Sequence, residues 1–144
     1  MAGHDLTHCA SALCSAPAAA AFAYLADPGC LGEWALGCWG ATPERGGLVR
    51  GTSLFDGSVS FVRARADRDR LLVDYDVGGE PTALDHRISA RAVPGPSLGR
   101  SVAECLVILL AWRHHAMGDE RWHRLRAAHD AEVLLLRHRI EASR

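Results

Sequence analysis

The chain contains no lysine, so its 16 side chains of the Lys and Arg class are all arginines, set against 17 Asp and Glu for a formal net charge of −1. No bulk field draws such a protein to nucleic acid or to an anionic membrane, and neither is expected as a partner. Cysteine is scarce and odd in number. Cys9, Cys14, Cys30, Cys38 and Cys105 show no CxxC spacing and are too few for a secreted disulfide scaffold, which points to reduced thiols and a cytoplasmic location. Long apolar runs are missing too. Ala16 to Ala23 is short, follows Asp5 and lacks a basic leader, so it fails as a signal peptide or a membrane span, and Cys105 to Trp112 is short enough to suit a buried strand instead. GxGxxG, P-loop and HExxH patterns do not occur, which removes the common nucleotide, phosphate and zinc-hydrolase signatures and leaves no cofactor to expect. His4 and His8 would share a strand face and His114 adjoins His115, but no His, Cys and carboxylate set has a recognised ligand spacing, so no metal is expected.

What is present is a chain of 144 residues, 49% hydrophobic, long enough to bury one core as a single domain over 1–144. Gly118 to Glu141 predicts one long helix. Asp119 and Glu120 stand at its start and Arg137, His138 and Arg139 near its end, opposing the helix dipole. Its length, at about 1.5 Å per residue, is enough to cross a small domain. Steps of three and four place Trp122, Leu125, His129, Val133, Leu136 and Ile140 on one stripe, apolar except for His129, with Glu132 at its edge.

Upstream, the segments are short. Weak alternation from His4 to Ser15 predicts a first strand. Ser15 can cap, and Pro17 can open, an alanine-rich helix with Phe22 and Leu25 on its apolar side, stopped by Asp27-Pro28-Gly29. A short helical turn through Cys30 to Trp34 and a brief strand around Leu36 to Thr42 follow. Asp56-Gly57 signals a tight turn between strands Leu48–Phe55 and Ser58–Ala66, pairing Phe55 with Ser58 and Arg50 with Arg63. Loops at Asp67–Arg70 and Gly78–Ala83 then set Val62 opposite Tyr75, Arg63 opposite Asp74, Tyr75 beside His86 and Val73 beside Ile88. One face gathers Phe55, Val62, Ala64, Leu71, Val73, Tyr75, His86 and Ile88, and the other an Arg63–Asp74–Arg87 ladder. Pairing Val93 with Val102 across the Pro94–Gly99 turn sends Cys105, Val107, Leu109 and Ala111 inward, and Leu106, Ile108 and Leu110 outward. The order is one strand, two short helices, six antiparallel strands and a long helix, an α+β arrangement.

That order, with Ala16-Pro17, Phe22, Leu25, Asp27-Pro28, Trp34 and Gly51-Thr52, resembles the SRPBCC superfamily, also called START-like or birch-pollen-allergen-like. Within it the chain is most similar to the bacterial polyketide cyclase/dehydrase and lipid-transport group. The resemblance covers nearly the whole chain and implies a helix-grip fold, in which a curved antiparallel sheet wraps a C-terminal helix around a deep apolar cavity. It implies no single reaction and no catalytic residues, since relatives include carriers, cyclases, hydrolases and chaperone activators.

The residues themselves suggest a site between sheet and helix. Val62, Val73 and Ile88 face Leu125, Val133 and Leu136 as an apolar lining, with Trp34, Trp39 and Phe55 at the wall or entrance and Trp112 as a further aromatic candidate. Tyr75, His86 and His129 would be the few convergent polar groups, able to orient a carbonyl or phenol and move protons near neutral pH, or equally to be hydrogen-bonded for structure. Three functions fit this reading: binding of a small, mostly apolar or aromatic molecule, a cyclase or dehydratase-type enzyme using the same cavity, or a protein-interaction module with a filled interior. Outward Leu106, Ile108 and Leu110 together with Leu134 would make an apolar patch, for which a homodimer is the expected cover.

Overall fold

In a computed structural model describing residues 3–143, the predicted long helix, α2, spans Asp119–Ala142 and buries Trp122, His129, Glu132, Val133, Leu136 and Ile140. Asp119 and Glu120 occupy its first turn and Arg139 its last, as the dipole favours. Both ends are tied to the beginning of the chain. Trp122, wholly buried, donates its indole N–H to Asp5 Oδ1 at 3.2 Å, and Arg126 reaches the same oxygen at 3.1 Å. Near the C-terminal end, Glu141 Oε2 accepts the backbone N–H of Ser15 at 2.8 Å.

The seven strands are β1 (Thr7–Cys14), β2 (Trp39–Pro43), β3 (Leu48–Thr52), β4 (Val59–Asp67), β5 (Leu72–Gly78), β6 (Asp85–Pro94) and β7 (Cys105–Trp112). They form one antiparallel sheet in the order β1-β7-β6-β5-β4-β3-β2, with helix α1 (Ala18–Ala26) and 3₁₀ turns at Pro28–Glu33 and Leu36–Cys38 between β1 and β2. This is the α+β helix-grip arrangement. Ala12, Cys14, Val73, Tyr75, Ala90, Val107 and Leu109 fill the inner face, and α1 adds Ala21, Phe22 and Leu25. Among the described residues, no helix is long and apolar enough to cross a membrane. All five cysteines are free thiols.

Local details differ from expectation at both ends of β1. Gly3–Leu6 is a 3₁₀ turn, so His4 does not share a strand face with His8, and the His4 side chain lies outside the described residues. Pro17, not Ser15, is the N-cap of α1, and it makes no side-chain bond there. The next turn is capped conventionally, with Asp27 Oδ1 accepting from Gly29 N–H at 2.8 Å.

The strand faces largely follow the sequence pattern, whereas the registers do not. Arg50 stands opposite Phe61 rather than Arg63, because β3 and β4 are joined by a loop over 53–58 instead of a two-residue turn. That loop is held by Ser53 N–H on Ser58 O at 2.8 Å, with Asp56 accepting both the N–H and the hydroxyl of Ser58. Phe55 therefore leaves the sheet. Across β4 and β5, Arg65 pairs with Asp74 and Arg63 with Asp76, a slip of two, and Leu71 sits in the turn at φ 53 instead of on a strand. The expected Arg63–Asp74–Arg87 ladder is replaced by a two-pronged bond from Arg65 to Asp76, both contacts 2.9 Å. Across β6 and β7 the slip is four: Val93 faces Leu106, and Val102 lies before the strand. Alternation has period two, so even slips keep every side chain on its face and the hydrophobic pattern cannot choose among them.

One departure is odd-numbered. Tyr75 faces Ile88 but Asp76 faces His86, so Arg87 is an extra residue in β6, a β-bulge. Beyond it His86 turns to the outer face, where its Nε2 lies 3.1 Å from both Ser89 Oγ and Asp74 Oδ1 and its ring meets Trp112 edge-on at 4.8 Å. The apolar patch expected to cover a dimer interface is also divided. Leu110 lies on the outer sheet face and Leu134 on the side of α2 turned away from the core, while Leu106 and Ile108 are only half-exposed.

Gly51 shows what lets β3 pack closely against the 3₁₀ turn at Leu36–Cys38. A Cβ built there would stand 2.8 Å from the carbonyl and sulfur of Cys38. Gly51→Ala is expected to lower stability by about 1–3 kcal/mol through overpacking, whereas Gly37→Ala, with nothing within 4 Å of a Cβ, should melt close to wild type. Denaturant titration of the two variants measures the contrast.

Candidate functional site

Between the sheet and the N-terminal half of α2 lies a cavity of about 560 Å³. One wall is the inner face of β4, β5 and β6, with Ser60, Val62, Tyr75, Val77 and Ile88. The facing wall is α2, with Leu125, Ala128, His129 and Glu132, and the floor is the 3₁₀ region, with Leu31, Trp34 and Cys38. Phe55 and Asp56 from the β3–β4 loop, with Arg121 and Arg124 from α2, stand around the mouth, where the Arg124 guanidinium carbon lies 5.1 Å from the centre of the Phe55 ring.

Seven of the residues expected at the site line this cavity: Trp34, Phe55, Val62, Tyr75, Ile88, Leu125 and His129. Five do not. Val73, Val133 and Leu136 belong to the packed core, at 0–3% exposure, because α2 and the sheet close on one another toward the C-terminal end of the helix. Trp39 pairs with Thr52 at the sheet edge, away from the cavity wall. His86 has been turned out by the bulge, and Trp112, on the same outer face, goes with it. The expected His–Tyr–His cluster is therefore not formed.

In its place stands Glu132. The residue is 6% exposed, Oε2 accepts the backbone N–H of Leu36 at 2.8 Å, and Oε1 lies 3.7 Å from His129 Nε2. Burial pushes its carboxyl up to about 8, against the opposing pull of the Leu36 N–H. His129 moves the other way, to about 4, chiefly through burial and then the charge of His8, with Asp130 opposing. Near neutral pH the pair is a carboxylic acid beside a neutral imidazole, not an ion pair. The Tyr75 hydroxyl is engaged structurally, donating to Leu25 O at 2.7 Å, and burial with the nearby Glu132 keeps it firmly protonated. Trp34 packs edge-on to Tyr75 at 5.8 Å, and neither its Nε1 nor His129 Nδ1 has a partner among the described residues.

Two functional candidates were missed. Glu132 is three residues beyond His129 and seven beyond Leu125, so the helical period already brought it to the site; its polarity alone kept it at the edge of the stripe. Arg87 is the bulged residue, which lines the cavity with its side chain 17% exposed, donating Nη2 to Asp85 at 3.2 Å while Nε remains unpartnered. No sequence signal marks a bulge of this kind.

The fold has known counterparts. The Zhui aromatase/cyclase from a Streptomyces species superposes with a TM-score of 0.66 at 17% identity, covering 94% of this chain and 93% of that one. A START superfamily protein from Mycobacterium smegmatis gives 0.63 at 12%, covering 96% and 99%. The fold is START-like. The di-domain ARO/CYC BexL gives 0.67 at 18%, covering 94% of this chain but 46% of its own length. At these identities the START-like likeness is one of fold alone, and no protein-family profile or curated protein matches the chain.

The Glu132 carboxyl sets a pH dependence. Its folded value lies above the ordinary 4.5, so the folded state holds the proton longer than the unfolded one, and stability present below about pH 4.5 is progressively lost as pH rises through about 8. Glu132→Gln keeps an acceptor for Leu36 and cannot ionise. Between pH 6 and pH 9 wild type should lose at least about 1 kcal/mol more stability than this variant, one pKa unit being worth about 1.4 kcal/mol; equal losses in paired thermal melts would show that Glu132 is not the ionising group.

Proposed function

We propose that the protein binds a small, mostly apolar, ring-containing molecule of polyketide-like or lipid-like character in the cavity between the sheet and α2. The observation that carries this reading is a cavity of about 560 Å³ with apolar walls and a single inward carboxylic acid. Pockets for small molecules have this composition, a greasy lining with a few placed polar groups that fix orientation. Glu132, protonated near neutral pH, would donate to a ligand carbonyl or phenol oxygen, and Trp34 and Tyr75 offer ring faces and edges against a planar ligand.

A second reading has a specific observation in its favour. An acid with a value near 8 beside an unprotonated imidazole is a pair poised to give and take a proton, which suits a cyclase or dehydratase acting in the same cavity, and two of the similar structures are named as aromatase/cyclase or ARO/CYC proteins. If chemistry occurs, Glu132→Gln should remove the basic limb of the pH–rate profile while leaving ligand binding in place. The protein-interaction reading called for a filled interior, and the cavity weighs against it.

Native mass spectrometry of the purified protein tests the binding reading, with a bound mass lost on denaturation as the expected result. Ser60→Trp, which fills the cavity from β4, should abolish that mass. His129→Phe should retain the fold and weaken only ligands that need its hydrogen bond. Retention of the mass in Ser60→Trp would place the ligand elsewhere.

A further inference from the structure

The cavity is unlike at its two ends, and the difference bears on which class of ligand fits. Resting on the binding reading above, we infer that the ligand is an amphiphilic anion, an apolar ring or chain carrying a terminal carboxylate or comparable acid, inserted apolar end first with the anionic group held at the mouth by Arg121 and Arg124. Five Asp, Glu and Arg side chains line the cavity, beside a His129 that burial keeps neutral near pH 7: Asp56, Arg87, Arg121, Arg124 and Glu132. Asp56 is committed to its own loop, its Oδ1 accepting the Ser58 N–H at 2.9 Å and the hydroxyl at 2.6 Å. Glu132 is at the inner end and holds its proton near neutral pH. The remaining three are guanidinium groups. The lining therefore carries a surplus of positive charge, concentrated where α2 begins.

Part of that surplus meets the protein's own carboxylates, since Arg87 is paired with Asp85 and the charge of Arg124 reaches Asp56, but the two α2 arginines make no direct contact with one. Among the described residues, neither Arg121 nor Arg124 takes part in an ion pair or hydrogen bond. They stand three apart on α2, which places them side by side, and Arg124 is held across the mouth over Phe55. From the opposite wall the bulge supplies Arg87, whose Nε has no partner. The charges of Arg87 and Arg121 both reach His114, which is held below the usual imidazole range by desolvation first and then by Arg87, His115 and Arg121, with Asp85 opposing. Orientation follows from the cost of the alternative. A carboxylate pushed inward would lose water beside the carboxyl of Glu132 among apolar walls, whereas at the mouth it keeps part of its hydration and meets planar donors suited to two-pronged contact.

The test separates this inference from the binding reading beneath it. 1-Aminoanthracene, neutral and fluorescent in apolar sites, reports occupancy; 4-(2-naphthyl)butanoate and 4-(2-naphthyl)butan-1-ol, alike except for charge, compete with it at pH 7. The carboxylate should displace the reporter at about tenfold lower concentration than the alcohol, the worth of one good charge-assisted contact. Added salt should narrow the gap, and Arg121→Ala with Arg124→Ala should close it without changing displacement by the alcohol. Equal displacement by both compounds in wild type, or an advantage that survives the double substitution, overturns the anionic-ligand inference while cavity binding stands. If the reporter does not bind wild type at all, the binding reading fails and the inference falls with it. Both arginines are exposed, so circular dichroism should show the double variant folded.

Discussion

Everything about the site depends on a helix that is tied to the start of the sheet along its length while one face of its N-terminal half looks into the cavity. Trp122 and Arg126 fix one end of α2 to Asp5, Glu141 fixes the other to the backbone of Ser15, and Val133, Leu136 and Ile140 bury the C-terminal half against the sheet. Between these anchors, Leu125, Ala128, His129 and Glu132 face a void. His8 Nε2, 2.9 Å from Asp130 Oδ1, ties the middle of the helix to β1 at a residue that does not line the cavity. Glu132 adds an internal strut, since its bond to Leu36 props the 3₁₀ floor against the helix. The cavity is then a consequence of where the packing contacts fall, and the same bond that braces it positions the acid inside it.

The bulge in β6 acts on the opposite wall with comparable economy. A single extra residue turns His86 out to a polar cluster with Asp74 and Ser89, and brings Arg87 round to the cavity. Bulges near binding sites commonly re-aim a side chain in this way. Here the effect is to exchange a titratable imidazole for a permanent cation on the inner wall. The chemistry left inside is one protonated carboxyl and one neutral imidazole, rather than a set of histidines.

The sequence carried the architecture better than the detail, for reasons that can be named. The α2 stripe was legible because a helix of this length repeats its periodicity many times, and Trp122, His129, Leu136 and Ile140 all land where the period puts them. Strand faces were legible for the same reason, yet the registers were not, since slips of two or four leave alternation unchanged and only turn geometry decides between them. The β3–β4 loop had a tight-turn dipeptide and still opened to six residues, taking Phe55 out of the sheet. His86 and Arg87 were misplaced because a one-residue insertion reverses parity without altering composition. Glu132 was visible but was read as an edge residue, because no local pattern announces that a carboxyl will be buried with a backbone N–H to receive it.

The clasp between the two ends of the chain also bears on how the protein comes to be folded. β1 pairs along its full length with β7, so that Thr7 bonds to Ala111, 104 positions later, and the anchors of α2 reach back further still. Such contacts demand closure of very long loops before they return any stabilisation, and high contact order slows folding. During synthesis β1 has no strand to join until β7 has emerged, while β3 to β6 can already form a meander of neighbours. β1 is thus the strand whose partner lies furthest along the chain, and the cavity, walled by a helix that β1 secures, depends on that long-range pairing.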